Sequence, residues 1–508
     1  MNNQSILFNN YEWHGDHQTE MPAFFTDLNL DQLVDQISSS KTDYDLKSYF
    51  YEMLNDLDSI NYRQEVFKDL EDADLLNTIN SFSRKMLDMR HHLQMINGLY
   101  YLYHKQGWFL EAVTEYIEAV ETFASKLSTP TIQSRGLLAF REYFSHYVKL
   151  PDFNVMKNDL KEIKFRLSSI RYNVIIKSNI VRVRKYDDEI DYSKEIEDFF
   201  AKFAQGEVAN YLVDLNLRGG MNHVEAQIID CVAALFPEIF NSLNQFYEKY
   251  IDFWDENVLR FDREIQFFIA YLEYISDIRD ARFKFCFPNL SSRKKNIAIQ
   301  NAFDIVLAKK MIFEESQVVP NDVLLQNNER IIIVSGPNQG GKTTFARMLG
   351  QINVLSRLGC PIPGESANLF LFDQIFTHFD REEQIINLRG KLKDDLVRIR
   401  EILEKATSKS LIIVNEIFSS TALKDATFLS ECILKKIMNL DAFCVFVSFI
   451  HELSELSENT ISMVSTVNPE NPVERTYKIV RKPADGLAYA HLIAEKHHLT
   501  YESIIKRI

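Results

Sequence analysis

The chain has 508 residues, which is too long for one ordinary hydrophobic core and predicts two to four domains. Its composition, 46% hydrophobic and 25% charged, excludes a disordered chain. The net charge of −15 gives no support to nucleic-acid binding, which needs clustered lysine and arginine. The N-terminus lacks a signal-peptide pattern and no apolar run reaches about eighteen residues, so we expect a soluble cytoplasmic protein without membrane contact.

Helical periodicity dominates the first 285 residues, where glycine and proline are rare. Apolar residues recur at helical spacing between 196 and 203 and again between Ile265 and Ile275. Pro237 interrupts a third helical stretch, which it should end or kink. The five cysteines have no metal-ligand spacing, so we expect reduced, mostly buried thiols.

Residues 172–186 break this helical pattern. They are rich in β-branched side chains and are split by Lys177-Ser178-Asn179, which predicts a β-hairpin. The hairpin is also the most basic segment, and Lys177, Arg182 and Arg184 are candidate contacts for DNA phosphates. A solvated hairpin face is the alternative that we favour, because acidic residues between 187 and 191 would repel DNA.

The pattern changes after residue 285. Short apolar runs at 331–334, 411–414 and 444–447 alternate with helical segments, as in parallel sheets joined by crossover helices. A cluster of Pro, Asn, Ser and basic residues between 288 and 295 marks the transition. We therefore predict a helical region over residues 1-285 and an α/β domain over residues 286-508.

A glycine-rich loop follows the first of these apolar runs and precedes a helix. Its backbone N–H groups and the helix dipole are suited to phosphates, so we expect Lys342 to reach the β- and γ-phosphates of ATP and Thr343 to ligate Mg²⁺. A plain turn between strand and helix is the alternative, which the full spacing disfavours. The candidate nucleotide-binding residues are Gly336, Pro337, Asn338, Gln339, Gly340, Gly341, Lys342, Thr343 and Thr344.

The apolar run at 411–414 ends in a polar pair. In phosphate-loop ATPases such a strand presents an acid to Mg²⁺ and a following Glu to the attacking water. Asn415 is neutral here, although its amide oxygen can contact the metal directly or through a water molecule, and Glu416 is the candidate general base. A strand that merely ends at a polar surface is the alternative.

Several motifs in register resemble the ATPase domain of the MutS mismatch-repair family. They are residues 319–322, the loop GPNQGGKTT, residues 358–363, residues 373–377 and the C-terminal segment 477–499, which includes Ala490-His-Leu-Ile-Ala-Glu495. The N-terminal half is similar to the family's helical core and lever through residues 61–66. The resemblance implies an α/β ABC-like P-loop ATPase domain preceded by a mostly α-helical region with a small β-hairpin. It also implies a homodimer that sandwiches ATP and couples hydrolysis to DNA.

The chain differs from the family at several positions. Where the family has a Ser-Thr signature that reaches the partner's phosphates, Gly390 and Lys391 stand here, whereas Asp425 matches the family's interface loop. Val318 replaces an aromatic that stacks on adenine. Ser448-Phe449 replaces a Thr-His sensor, unless His451 substitutes for it. These changes permit ATP binding and predict slow hydrolysis.

The family's mismatch-reading element is also doubtful. Phe50-Tyr-Glu52 has the spacing of its Phe-x-Glu wedge, but the surrounding pattern is helical and favours coincidence. We expect no room for a mismatch-reading domain.

Two functions remain open: a MutS-like ATPase that binds duplex or branched DNA, and a nucleotide-dependent protein-interaction switch with weak or no DNA binding. A metabolic kinase is disfavoured, because no acceptor-substrate site follows the loop.

Overall fold

The computed structural model describes residues 4–9, 20–128, 131–178, 180–187, 221–379, 390–418, 421–468 and 474–484. The chain forms two compact units. Unit 1 contains Met1–Asp69, Ser134–Gly136 and Arg263–Ile508, and unit 2 contains Leu70–Gln133 and Leu137–Asp262. The predicted domain boundary between residues 285 and 286 stays a prediction.

Helices dominate the first part of the chain, as the periodicity predicts. They are α1 (Phe24–Asp27), α2 (Leu30–Ser39), α3 (Lys47–Tyr51), α4 (Leu57–Asp69), α5 (Ala73–Asn97), α6 (Leu102–Lys126), α7 (Arg135–Tyr147), α8 (Pro151–Ser168), α9 (His223–Leu235), α10 (Pro237–Lys249) and α11 (Glu256–Asp280). The helix predicted between 196 and 203 lies outside the described residues. The periodic residues between Ile265 and Ile275 fall within α11, which confirms that prediction.

Unit 2 is built around the long helices α5 and α6. Each has 25 residues, which corresponds to about 37 Å of helix. The side chain of Asp72 caps α5 by accepting hydrogen bonds from the backbone N–H groups of Asp74 and Leu75. Five stacked and edge-on phenylalanine rings fill the core of the unit: Phe82, Phe123, Phe140, Phe144 and Phe261.

The hairpin and the proline break of unit 2 both have the structure that the sequence predicts. Strands β1 (Tyr172–Lys177) and β2 (Ile180–Lys185) pair antiparallel. Pro237 is the first residue of α10, which makes an angle of 108° with α9. Among the described residues no single helix is long and apolar enough to cross a bilayer, although α9 and α10 together meet that test of length and composition.

Unit 1 contains mixed sheets. Its strands are β3 (Phe285–Cys286), β4 (Asn289–Ser291), β5 (Ile297–Ala302), β6 (Asn321–Leu325), β7 (Ile331–Ser335), β8 (Ile362–Pro363), β9 (Ser366–Phe370), β10 (Ile375–Phe379), β11 (Leu411–Asn415), β12 (Phe443–Val447), β13 (Thr460–Val467) and β14 (Arg475–Arg481). The largest sheet has the order β10-β11-β12-β7-β13-β14. Its first five strands are parallel and β14 is antiparallel to β13.

The remaining helices of unit 1 connect these strands. They are α12 (Ile305–Phe313), α13 (Lys342–Arg357), α14 (Lys391–Lys405), α15 (Leu423–Asn439) and a 3₁₀ helix (His451–Glu455). All residues of β7, β11 and β12 are buried, as expected for parallel strands covered on both faces. Because these strands are parallel, the loops after Ser335, Asn415 and Val447 meet at one edge of the sheet.

The N-terminal helices pack within unit 1. Phe50 is fully buried and its ring lies 4.7 Å from that of Phe267, so Phe50 is part of the core. This agrees with the interpretation that the Phe-x-Glu spacing of Phe50-Tyr-Glu52 is a coincidence. Leu28 packs against Gly350 of α13, where an added Cβ atom would lie only 2.5 Å from the leucine.

Of the five thiols, Cys360 and Cys444 are buried, whereas Cys231 and Cys432 are exposed, so the expectation of mostly buried cysteines was wrong.

Candidate functional site

The loop at 336–341 turns the chain from β7 into α13. Three of its residues have positive φ angles: 121° at Gly336, 59° at Gln339 and 89° at Gly341. Glycine adopts such angles without steric cost. The N–H groups of the first helical turn have no partner within the helix, and the helix dipole is positive at this end. The loop therefore has the geometry of an anion site.

A cavity of about 500 Å³ lies beside this loop. Its polar lining comprises residues 338–344, Glu416, Asp304, Gln317 and Asn321. Apolar side chains also line it, among them Phe303, Leu307, Met311, Val318 and Met348. A cavity of this size with both polar and apolar lining can hold a small molecule that combines anionic and aromatic groups.

Lys342 lines this cavity and only 5% of its side chain is exposed. Its Nζ atom donates hydrogen bonds to the carbonyl oxygens of Gly336 and Pro337, each at 3.2 Å. The same ammonium group lies 3.3 Å from Oε1 of Glu416. One positive charge is therefore fixed at the mouth of the loop.

Thr343 and Asn415 meet at the same edge of the sheet. The Thr343 hydroxyl donates a hydrogen bond to Oδ1 of Asn415 at 3.1 Å. Adjacent ligands of an octahedral Mg²⁺ ion are about 2.9 Å apart, so these two oxygens have a spacing that fits this ion. Hydroxyl and amide oxygens are suitable ligands for it.

Glu416 follows β11 in a left-handed conformation, with φ of 50°. Its backbone N–H donates to the carbonyl oxygen of Val447, which fixes the residue against the neighbouring strand β12. About 40% of its side chain is exposed, and it lines the cavity. The carboxylate is therefore accessible to water beside the loop, as a general base must be.

Tyr477 is a cavity residue to which the sequence analysis assigned no role, although it begins the C-terminal segment that resembles the family. It has a φ of 56° on the edge strand β14, and 52% of it is exposed. The Asn321 amide donates to the Tyr477 carbonyl oxygen at 3.3 Å and accepts from the N–H of Ile479 at 2.7 Å. These bonds hold the tyrosine beside the loop. The positive φ of Tyr477 and the pairing of β14 with β13 place this residue beside the loop. Neither feature could be predicted from the sequence motif.

Several predicted residues do not line this cavity. Gly390 is the N-cap of α14, Lys391 begins that helix, and Asp425 lies in the first turn of α15. His451 lies in the 3₁₀ helix with an exposed side chain and does not line this cavity. Val318 lines the cavity with a side chain that can pack but not stack. Residues 419–420 and 490–495 lie outside the described residues.

The candidate DNA contacts lie in unit 2. The register pairs Asn173 with Arg184, Ile175 with Arg182 and Lys177 with Ile180. Because side chains alternate between the two faces of a hairpin, Lys177, Arg182 and Arg184 share one face. All three side chains are exposed.

These features define an α/β protein whose site lies at the carboxyl edge of a mostly parallel sheet, where such proteins bind ligands. Residues 332–499 match the family model of MutS domain V. The C-terminal region of the chain is therefore similar to domain V of the MutS family, which confirms the resemblance inferred from its motifs.

Individual mismatch-repair proteins agree with this assignment. The DNA mismatch repair protein MutS of Lactobacillus delbrueckii subsp. bulgaricus is 27% identical over 198 residues, which are 39% of this chain and 22% of that protein. MutS of Brevibacillus brevis is 31% identical over 170 residues, covering 33% and 19%. The human DNA mismatch repair protein Msh3 is 30% identical over 166 residues, covering 32% and 14%. The match therefore spans less than a quarter of the length of these relatives.

Proposed function

We propose that unit 1 binds Mg²⁺ and ATP in the cavity beside residues 336–344 and hydrolyses the nucleotide slowly. The observation that carries this proposal is that Lys342, Thr343 and Glu416 line one cavity, with Asn415 hydrogen-bonded to Thr343 and Lys342 in contact with Glu416. In this assignment the backbone N–H groups of the loop and of the first turn of α13 bind the phosphates. The Lys342 ammonium group binds the β- and γ-phosphates.

The apolar side chains of the cavity are the proposed contacts of the adenine ring. Val318 and Met348 would pack against it, and the ring of Tyr477, which lies near Gly341, would supply the aromatic surface that Val318 lacks. Stacking of an aromatic ring on a base contributes about 1–3 kcal/mol. Tyr477 thus takes over a role that the family assigns to the position of Val318.

Thr343 and Asn415 are the residues that would hold Mg²⁺. If bound, Mg²⁺ would neutralise charge that develops on the phosphates during transfer. The Thr343 hydroxyl oxygen and the Asn415 amide oxygen would be its ligands, and the amide oxygen is neutral where a carboxylate is expected. Since a neutral ligand holds the cation less strongly than a carboxylate, we propose that Asn415 is one cause of slow turnover.

Glu416 is the proposed general base. Its exposed carboxylate can accept a proton from the attacking water. The contact between Lys342 and Glu416 must loosen for this step, because the carboxylate oxygen has to face the attacking water.

Dimerisation is proposed from Gly390, Lys391 and Asp425. In the family these positions complete the nucleotide site of the partner subunit. Here they begin helices α14 and α15 and do not line the cavity of their own chain. If these residues contribute to the cavity of a second copy of the chain, their role in the family and their absence from the cavity of their own chain are both explained. The missing hydroxyl at Gly390 is then a second cause of slow hydrolysis.

DNA binding is the less supported part of the family function. The shared basic face of Lys177, Arg182 and Arg184 favours it, whereas the overall charge of −15 opposes it. The second candidate function, a nucleotide-dependent protein-interaction switch without DNA, is favoured by that charge and by Asn415. The proposal of DNA binding can be tested with substitutions that leave the ATP site intact.

The ATP site is tested by calorimetric titration of the full chain with Mg·ATP. Lys342→Ala should weaken binding at least about a hundredfold, because it removes the charge-assisted contacts to two phosphates. Lys409→Ala removes an exposed lysine away from the cavity and should bind like the parent. Equal affinities of the parent chain and the Lys342→Ala variant would refute the assignment.

The proposal of DNA binding is tested by measuring how the affinity for duplex and branched DNA depends on salt concentration. The triple variant K177A/R182A/R184A should lower the slope of log affinity against log salt by about 2 to 3, since each lost phosphate contact removes about 0.9. The variant R293A/K294A/K409A removes three exposed charges from unit 1 and is the matched control. No DNA binding by the parent chain at low salt would favour the protein-interaction switch.

A further inference from the structure

Ser465 contacts the glycine-rich loop from outside the motif. It lies on β13, next to Val464, which pairs with Ser335 at the end of β7. The pairing of β13 with β14 is irregular between Ser465 and Val467, as at a β-bulge. Bulges redirect side chains, and this one lies where Ser465 meets the loop. The serine is fully buried.

The Ser465 side chain holds the loop by a hydrogen bond and by close packing. Its hydroxyl donates to the carbonyl oxygen of Gly340 at 2.6 Å. A Cβ atom added to Gly340 would lie 2.3 Å from the Ser465 oxygen, and one added to Gly336 would lie 3.0 Å from the Ser465 Cβ. Both glycines are therefore needed partly because Ser465 lies so close to them.

The hydrogen bond fixes the orientation of one peptide group. In a trans peptide the carbonyl oxygen of Gly340 and the N–H of Gly341 point in opposite directions. Gly340 and Gly341 line the cavity, whereas Ser465 does not. A hydroxyl that holds the carbonyl on the outer side therefore directs the Gly341 N–H toward the cavity. Glycine has no side chain to oppose rotation of this peptide, so an external hydrogen bond is well placed to limit it.

We propose that Ser465 is a positioning residue for phosphate binding, which acts through the Gly340–Gly341 peptide and does not touch the nucleotide. This inference rests on the proposed ATP site and assigns to it a residue outside the loop motif. The Gly341 N–H is preorganised by Ser465 to donate to a phosphate oxygen. Without the Ser465 hydroxyl, the peptide samples other orientations and phosphate binding weakens.

A purely structural role for Ser465 makes a different prediction. A buried serine that only fills space would affect folding stability, and any loss of affinity would apply equally to ligands with and without phosphates. A positioning role instead lowers the affinity for ATP and ADP selectively. Adenosine, which has no phosphate, is therefore the discriminating ligand.

The matched control is available on the same strand. Ser462 is a β13 serine whose hydroxyl is buried and has no hydrogen-bond partner among the described residues. Ser462→Ala removes the same atom from the same strand without removing a contact to the loop. Ser465→Ala and Ser462→Ala can therefore be compared directly, with thermal midpoints measured to confirm that both variants are folded at the assay temperature.

The experiment measures dissociation constants of the full chain for Mg·ATP, Mg·ADP and adenosine by competition with a fluorescent ATP analogue. Ser465→Ala should weaken ATP and ADP by about tenfold, as expected for loss of one charge-assisted hydrogen bond, and should leave adenosine unchanged. Ser462→Ala should match the parent for every ligand.

An unchanged ATP affinity of Ser465→Ala would overturn the proposal, as would an equal loss for ATP and adenosine. Lys342→Ala separates this outcome from failure of the ATP site. If Lys342→Ala loses ATP while Ser465→Ala does not, only the role of Ser465 is refuted. If Lys342→Ala also binds ATP normally, the site itself is wrong.

Discussion

The Nζ atom of Lys342 lies 3.3 Å from Oε1 of Glu416, which joins the phosphate-loop lysine to the candidate base. A triphosphate on the loop would compete with Glu416 for the same ammonium group. Binding of the substrate would thereby release the carboxylate for proton transfer. The contact between Lys342 and Glu416 would thus couple ATP binding to proton transfer in the proposed reaction.

The first prediction concerns Glu416→Gln. Turnover should fall by at least about a hundredfold, since general-base catalysis contributes about 10²–10⁴. ATP affinity should stay the same or rise a few-fold, because the neutral amide no longer competes strongly for Lys342. Steady-state hydrolysis and equilibrium titration of the same variant measure the two effects, with the exposed Glu458→Gln as control. Retained turnover would place the base elsewhere.

A second prediction concerns Asn415→Asp. A carboxylate beside Thr343 restores a charged ligand for Mg²⁺, so Mg²⁺-dependent turnover should rise several-fold and half-activation should occur at lower Mg²⁺. Hydrolysis assays across a Mg²⁺ series measure both quantities. An identical Mg²⁺ dependence in the two proteins would show that metal ligation is not the slow feature of the site.

Tyr477 provides a third prediction. Tyr477→Ala should weaken ATP by about tenfold by removing the stacking surface, whereas Tyr477→Phe keeps the ring and should bind as the parent does. Inorganic tripolyphosphate has no base, so its affinity should not change in either variant. Competition titrations report the affinities of both ligands. Equal losses for Tyr477→Phe and Tyr477→Ala would argue against stacking.

The sequence predicted the parts of this fold that depend on local patterns. The buried runs of β7, β11 and β12, the hairpin at 172–185 and the break at Pro237 all follow from periodicity and turn residues, and the structure confirms them. The sequence assigned Lys342 and Thr343 to the loop motif and Asn415 and Glu416 to the end of an apolar strand, whereas the contacts that join these residues come from the structure.

Contacts between distant segments could not be predicted in this way. Ser465 and Tyr477 approach the loop because β13 and β14 extend the sheet past β7, and no local signal specifies that pairing. Leu28 packs on Gly350 of α13 for the same kind of reason. The exposed thiols were mispredicted because cysteine is usually buried, whereas Cys231 and Cys432 lie on the exposed faces of their helices.

The thiols give a fourth prediction. Cys231 and Cys432 should react rapidly with a thiol reagent, whereas Cys360 and Cys444 should not, since burial excludes the reagent and raises the pKa of both thiols well above the usual range. Burial also raises the pKa of Cys286 to about 11, so it should react slowly. Cys231→Ser and Cys432→Ser should each remove one fast equivalent. Five fast equivalents in the folded chain would contradict the burial pattern.

The most direct test of the account is a crystal structure with Mg²⁺ and a non-hydrolysable ATP analogue at saturating concentration. The account predicts phosphates on the N–H groups of residues 338–343, Lys342 turned from Glu416 to the phosphates, and Mg²⁺ beside Thr343 and Asn415. An empty loop, or nucleotide bound elsewhere with Lys342 still paired to Glu416, would contradict it.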